Sequence, residues 1–137
     1  MKAAVVYWSG TGNTAAMADL VLEGMKSAGA DAEQIECSAV TDLSAYEAIA
    51  FGCPAMGSEQ LEDSEFEPMF DSVKKKLSGK AVALFGSYGW GDGEWMRNWE
   101  DDCKACGINL VTESVLVNGA PEGEDAEACR ELGKALV

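Results

Sequence analysis

Short apolar runs alternate with helix-patterned segments five times along this 137-residue chain, and that rhythm limits its fold more than any other feature. Lys2–Tyr7 reads as a first strand. Asn13 to about Ala28 reads as a helix, with Met17, Leu20, Val21 and Met25 spaced to share one face. Gly29 stops it, and Asp31–Glu36 is a second strand. Leu43–Glu47 suggests a short helical turn before a third strand at Ala48–Gly52. A helix over about Glu65–Leu77 leads to a fourth strand at Ala81–Phe85 and a loop at Gly86–Gly93. Glu94 to about Cys106 is helical, Ile108–Val117 is a fifth strand, and Glu124–Leu136 is the last helix. Strands that alternate with helices pair in parallel, with helices covering both faces. Right-handed crossovers leave few topologies. The natural one is an α/β doubly wound, five-stranded parallel sheet of order 2-1-3-4-5. No repeat, low-complexity tract or linker interrupts the pattern, so residues 1–137 are expected to form one domain.

Sheets of this kind bind ligands beyond the carboxyl ends of their strands, at the switch between strands 1 and 3. Three loops therefore matter. The first is Ser9-Gly10-Thr11-Gly12-Asn13-Thr14, directly after the first strand and before the first helix. Glycines let backbone N–H groups turn toward an anion, hydroxyls donate further hydrogen bonds, and the helix N-terminus adds its dipole. The loop holds no Lys or Arg, so any phosphate there meets neutral donors only. It also matches a degenerate G-x-G-x-x-A dinucleotide pattern at Gly10, Gly12 and Ala15, with Glu36 where a ribose-binding acid belongs. The chain is short for a nicotinamide enzyme with a second domain, and the hydroxyls of Ser9, Thr11 and Thr14 suit a terminal phosphate. A P-loop is excluded because no Gly-Lys-Ser/Thr follows.

The loop after strand 4 reads Gly86-Ser87-Tyr88-Gly89-Trp90-Gly91-Asp92-Gly93. Trp90, between two glycines, can lay its ring flat on a planar ligand, an arrangement worth about 1 kcal/mol beyond area burial. Trp95 and Trp99 lie i,i+4 on the following helix and read as packing residues. The loop after strand 3 reads Cys53-Pro54-Ala55-Met56-Gly57-Ser58-Glu59. Met56 offers a polarizable side chain, Gly57 an adaptable backbone and Glu59 an acceptor for a ring N–H. Residues 59 to 67 then carry Glu59, Glu62, Asp63, Glu65 and Glu67. These read both as acids favoured at a helix N-terminus and as a docking surface.

The chain has 24 acidic and 10 basic residues, a net charge of −14, and no histidine. The charge argues against nucleic acid or an anionic membrane as partner and fits steering toward basic proteins. The missing histidine removes the usual general base and the commonest metal ligand. No apolar stretch is long enough to span a membrane, and the N-terminus runs straight into a strand without a targeting segment. Five widely spaced cysteines read as reduced thiols in a cytoplasm. Cys103-Lys104-Ala105-Cys106 is a CxxC, but it lies at a helix C-terminal end behind Glu100, Asp101 and Asp102, where thiolate is disfavoured.

A phosphate cradle, a slot for a flat ring and an acidic rim on this fold point to flavin mononucleotide (FMN). The motifs Tyr7-Trp8-Ser9-Gly10-Thr11-Gly12-Asn13-Thr14, Gly52-Cys53-Pro54-Ala55-Met56-Gly57 and Leu84-Phe85-Gly86-Ser87-Tyr88-Gly89-Trp90-Gly91 together resemble those of flavodoxins, closely the short-chain type of anaerobic bacteria. The resemblance spans essentially the whole chain, with no long-chain insertion in strand 5. It implies that Ser9 through Thr14 bind the phosphate, with Ser87 nearby. It implies that Met56 covers the inner flavin face and Trp90 stacks on the outer face, with Pro54, Ala55 and Tyr88 also among the cofactor-binding residues. Glu59 would accept from ring N3–H, and Gly89 and Gly91 would offer N–H groups to the pyrimidine edge. The Gly57–Ser58 peptide would flip on reduction so that the Gly57 carbonyl meets N5–H. Asn118 is the nearest match to a ribityl contact. The implied function is electron transfer rather than catalysis: a monomeric, low-potential one-electron carrier shuttling between semiquinone and hydroquinone. Its redox partners would dock basic surfaces on the acidic rim. A flavin-dependent quinone reductase on the same fold would need a donor and acceptor pocket, and no insertion builds one. A phosphoacceptor receiver would need an aspartate where Gly52-Cys53-Pro54 ends strand 3.

Overall fold

A computed structural model of the chain describes residues 1–57 and 59–137. Its strands are β1 (Lys2–Tyr7), β2 (Asp31–Glu36), β3 (Ala48–Gly52), β4 (Ala81–Tyr88), β5 (Asn109–Leu110) and β6 (Val115–Asn118). Its α-helices are α1 (Asn13–Ser27), α2 (Phe66–Val73), α3 (Glu94–Ala105) and α4 (Glu124–Leu136). All strand pairs are parallel. The order is β2-β1-β3-β4-β5, and β6 also pairs with β4. This is the doubly wound order expected from the alternation.

Successive strand residues point to opposite faces, and β1 makes the consequence plain. Ala3 and Val5 join Met17, Val21 and Met25 of α1 and Cys129, Leu132 and Leu136 of α4 in one core. Ala4 and Val6 join Phe66 and Phe70 of α2 and Trp95, Trp99 and Cys103 of α3 in the other. The second core is aromatic. The Trp99 ring stands edge-on to Phe66 at 5.4 Å and to Phe70 at 5.7 Å. Helices α1 and α4 touch backbone to backbone. A Cβ on Gly24 would lie 2.0 Å from the Arg130 carbonyl oxygen, and one on Gly133 would lie 2.2 Å from that of Val21.

Four local expectations change. First, β4 extends through Tyr88, because Phe85–Tyr88 gains a partner in β6. Ser87 and Tyr88 are thus strand residues, and the loop starts at Gly89. Second, the fifth strand is split. Asn109 sits opposite Ala81 but Val115 opposite Phe85, so the chain between loops out two extra residues. An even number preserves the facing of side chains, and Val117 still enters the core of α1 and α4. Third, Leu43–Glu47 forms only a turn, closed by Tyr46 N–H on the Leu43 carbonyl at 3.2 Å, and the 3₁₀ turn lies earlier, at Cys37–Ala39. Fourth, the α2 segment tightens into a 3₁₀ turn at Lys74–Lys76 instead of staying α-helical to Leu77. None of the helices among the described residues is long and apolar enough to cross a membrane.

Cys37, Cys53, Cys103 and Cys129 are buried and Cys106 half-buried, all as free thiols. Burial pushes the Cys103 thiol up to about 12 and those of Cys37 and Cys129 up to about 11. The CxxC cysteine in the core is therefore a small apolar residue, not a thiolate.

Candidate functional site

The end of β1 is pinned to β3 by the Trp8 N–H on the Gly52 carbonyl at 3.0 Å. Beyond it the chain turns sharply through Gly12, whose φ of 100° is left-handed and suits glycine, and α1 begins. Ser9 Oγ accepts from the N–H groups of Gly12 at 3.1 Å and Ala15 at 3.2 Å. That hydroxyl closes the loop from within and keeps its own O–H to donate. Thr14 is 1% exposed, and its hydroxyl has no partner among the described residues. Nor do the N–H groups of Gly10, Thr11, Asn13 and Thr14 meet an acceptor among them. Unpaired donors at a helix N-terminus, carrying the positive end of its dipole, form an anion site.

A cavity of about 410 Å³ adjoins this loop, within the roughly 300–1,000 Å³ typical of small-molecule sites. Gly10, Thr11 and Asn13 line it on the loop side, together with Trp8. Pro54, Ala55, Met56 and Gly57 form one wall, and Ser87, Tyr88 and Gly89 another, with Gly119 beside them. The walls are tied together. Ala55 N–H donates to the Ser87 carbonyl at 3.0 Å, Cys53 N–H to that of Phe85 at 3.1 Å, and Gly119 N–H to that of Tyr88 at 3.0 Å. Ser87 Oγ donates to the Gly119 carbonyl at 2.7 Å. Gly86 must lack a side chain, because a Cβ there would lie 2.2 Å from the Cys53 carbonyl oxygen.

Several expected residues stand elsewhere. Ser9 and Gly12 line a second cavity, of about 460 Å³, on the β2 side of the same loop, where Glu36 also lies. Trp90 is 67% exposed at the rim and forms no part of the cavity lining. Asn118 pairs with Tyr88 as an exposed strand residue, and its neighbour Gly119 lines the cavity instead. Glu59 has a left-handed backbone, φ 53°. Its Oε2 accepts from the Trp95 N–H at 3.1 Å, at the start of α3, and its other oxygen lies against Gly91. Asp92 is engaged by Arg97 at 3.0 Å, which lessens its share in the acidic rim. The expectation for Ser58 lies outside the described residues.

Sequence reasoning passed over Gly119, quoted Trp8 only within a motif, and read Glu62 as one acid among several at a helix entry and docking surface. Trp8 lines both cavities, and its indole N–H donates to Glu65 Oε1 at 3.4 Å. Glu62 is a 4% exposed carboxylate hidden beside the exposed Asp63, Glu65 and Glu67. Burial alone would push its carboxyl up. Hydrogen bonds from the Ser64 hydroxyl and from the N–H groups of Phe66, Glu65 and Ser64 outweigh that and hold it down to about 2.

The sequence model of the Flavodoxin family matches residues 5–133. A flavodoxin of Megasphaera elsdenii is 49% identical over 133 residues, covering 96% of this chain and 95% of that protein. A flavodoxin of Clostridium beijerinckii is 46% identical over 134 residues, covering 96% of each. The solution structure of two-electron reduced Megasphaera elsdenii flavodoxin superposes with a TM-score of 0.90 at 46% identity, covering 98% of this chain and 97% of that one. The chain therefore belongs to the flavodoxin family, electron-transfer proteins that carry FMN.

Proposed function

We propose that the cavity of about 410 Å³ holds FMN and that the protein is a low-potential one-electron carrier. The observation that carries this reading is the junction of two features: an anion cradle with a buried Thr14 hydroxyl that has no partner among the described residues, and a slot between tied loops leading from it. The residues fit the group. Gly10, Thr11, Asn13 and Thr14 would offer N–H groups to the phosphate, and Ser9 and Thr14 their hydroxyl protons. Met56 would cover one ring face. Trp90, exposed and flanked by glycines, would turn onto the other. Gly89 and Gly91 would offer N–H groups to the pyrimidine edge, with Gly119 rather than Asn118 near the ribityl chain. Glu59 would use one oxygen on α3 and keep the other for ring N3–H. Flavin supplies the one-electron chemistry when bound.

The chain's own contribution is electrostatic. A carboxylate ~10 Å from the reduced, anionic ring raises its energy by roughly 0.4–1.7 kcal/mol, less after screening by salt. For one electron about 59 mV corresponds to a tenfold change. Exposed Asp63, Glu65 and Glu67 add terms of one sign, so the second electron would be held at low potential. The same rim suits basic redox partners, whose association would slow as ionic strength rises. Free thiols suit a reducing cytoplasm, and a monomer is the expected working form.

The test is an absorption spectrum and an FMN titration of the purified protein. Flavin bands with one equivalent of FMN, and a second-electron midpoint below that of free flavin, support the reading. A colourless protein that fails to take up added FMN overturns it.

A further inference from the structure

Glu62 is buried beside the exposed Asp63, Glu65 and Glu67, and both oxygens of its carboxylate are used. Oε1 accepts from the N–H groups of Glu65 at 2.7 Å and Phe66 at 2.9 Å. Oε2 accepts from the N–H of Ser64 at 3.0 Å and from the Ser64 hydroxyl. These bonds close the first turn of α2. The Glu62 N–H donates to Cys53 Sγ at 3.4 Å, back at the point where the chain leaves β3. Cys53 is fixed in turn by its carbonyl, which accepts the Trp95 indole N–H at 3.1 Å. Residue 62 thus fastens both ends of the loop that carries Pro54, Ala55, Met56 and Gly57. It also reaches further. Glu65, whose N–H it holds, accepts from the Trp8 indole. The Trp8 ring lies against Gly10, where a Cβ would sit 3.0 Å from it.

We infer that Glu62 is a positioning residue that sets the Met56 wall of the cavity and, through Glu65, the Trp8 wall over the phosphate cradle. The inference rests on the reading of this cavity as the FMN site. A carboxylate is needed because four donors converge on it. Glutamine has one acceptor oxygen, and its NH₂ would face the Ser64 donors. Ionisation is retained through neutral pH, since those hydrogen bonds hold the group far below the ordinary carboxylate range.

The test uses Glu62→Gln and the milder Ser64→Ala in the full chain. Three quantities are read: amide hydrogen exchange at residues 53, 55–57 and 59–61 without flavin, the FMN dissociation constant, and the second-electron midpoint. Glu62→Gln should speed loop exchange and weaken FMN about tenfold each. Ser64→Ala should move both the same way, about threefold. Because Ser64→Ala leaves every charge in place, a shift of its midpoint reports position and not charge. Lowered thermal stability with loop exchange and FMN affinity within a factor of two of wild type, and an unshifted midpoint in Ser64→Ala, would reduce Glu62 to a helix cap and overturn the inference. If Glu62→Gln does not fold, unchanged loop exchange in Ser64→Ala overturns it alone. A wild type that binds no FMN would defeat the cofactor reading, while the exchange measurement would still decide this one.

Discussion

Gly91 and Glu59 belong to different loops, and their contact yields a sharp test of how the cavity mouth is built. Gly91 has φ 92°, and a Cβ there would lie 1.9 Å from Glu59 Oε1 and 2.8 Å from its Cδ. Gly91→Ala should therefore cost stability in two separable ways. A left-handed backbone costs a side-chain-bearing residue roughly 1–2 kcal/mol. The clash itself is relieved when the flexible Glu59 side chain swings away, but the charge-assisted bond from Trp95 N–H, 3.1 Å long, then breaks. Such a bond contributes roughly 1.5–3 kcal/mol. The total is about 2.5–5 kcal/mol in the wild type. In a Glu59→Ala background only the backbone term is left, about 1–2 kcal/mol. Urea unfolding of the four flavin-free proteins closes the double-mutant cycle. A coupling of about 1.5–3 kcal/mol is expected. Additivity within about 0.5 kcal/mol would refute the cross-loop contact.

Three further outcomes follow from other parts of the structure. Glu62 has a folded pKa of about 2 against an ordinary 4.5. Its contribution is fully present above the unfolded value and is lost as pH falls through the folded one. Urea unfolding from pH 6 to pH 2 should lose about 3 kcal/mol that Glu62→Gln does not lose. Thr14→Val keeps shape and removes a hydroxyl that has no partner among the described residues. It should leave flavin-free stability within about 1 kcal/mol while weakening FMN binding about tenfold and riboflavin binding far less, as read by fluorescence titration. Gly133→Ala places a methyl 2.2 Å from the Val21 carbonyl oxygen and should cost about 1–3 kcal/mol in urea unfolding as α1 and α4 are forced apart.

The order of the sheet was legible because β1, β3 and β4 contain near-continuous apolar runs, as parallel strands buried on both faces must, and because strands and helices alternate; the polar edge strand β2 was marked only by that alternation and by Gly29 before it. The split of the fifth strand was not legible. Asn109–Leu110 and Val115–Asn118 each pair with β4, and only that pairing shows the two-residue slip between them. The same pairing drew Ser87 and Tyr88 into β4, although Gly86 and Gly89 beside them read as loop. At the site, glycines and hydroxyls marked the cradle, but composition did not say which hydroxyl closes the loop and which is left unpaired. Ser9 does the first and Thr14 the second, because Ser9 Oγ lies within reach of two N–H groups of the turn. The burial of Glu62 was invisible for a related reason. One buried acid looks like its exposed neighbours until the backbone folds back so that four donors meet it.

Cations avoid the cavity end of this molecule, and that distribution gives the electrostatic argument a test. Strands start, and helices end, at the edge of the sheet away from the cavity. Lys2, Lys74, Lys75, Lys76 and Lys80 lie at or before strand starts, and Lys26, Lys104 and Lys134 lie at helix C-terminal ends, where the dipole favours them. Arg130 is paired with Glu23 and Glu127, and Arg97, nearest the cavity end, is paired with Asp92. The cradle is thus left to neutral donors and the acidic rim to itself. Thr11 is exposed and lines the cavity, so Thr11→Lys introduces a cation where the chain has none. It should tighten FMN binding and also raise the second-electron midpoint. One charge ~10 Å from the ring corresponds to roughly 0.4–1.7 kcal/mol, or roughly 20–70 mV for one electron, and less at high salt. Thr11→Gln, measured beside it by potentiometric titration, removes steric change as the cause. A midpoint that stayed put or fell in Thr11→Lys while FMN bound more tightly would separate phosphate affinity from redox potential, and the low potential would then need a source other than charge.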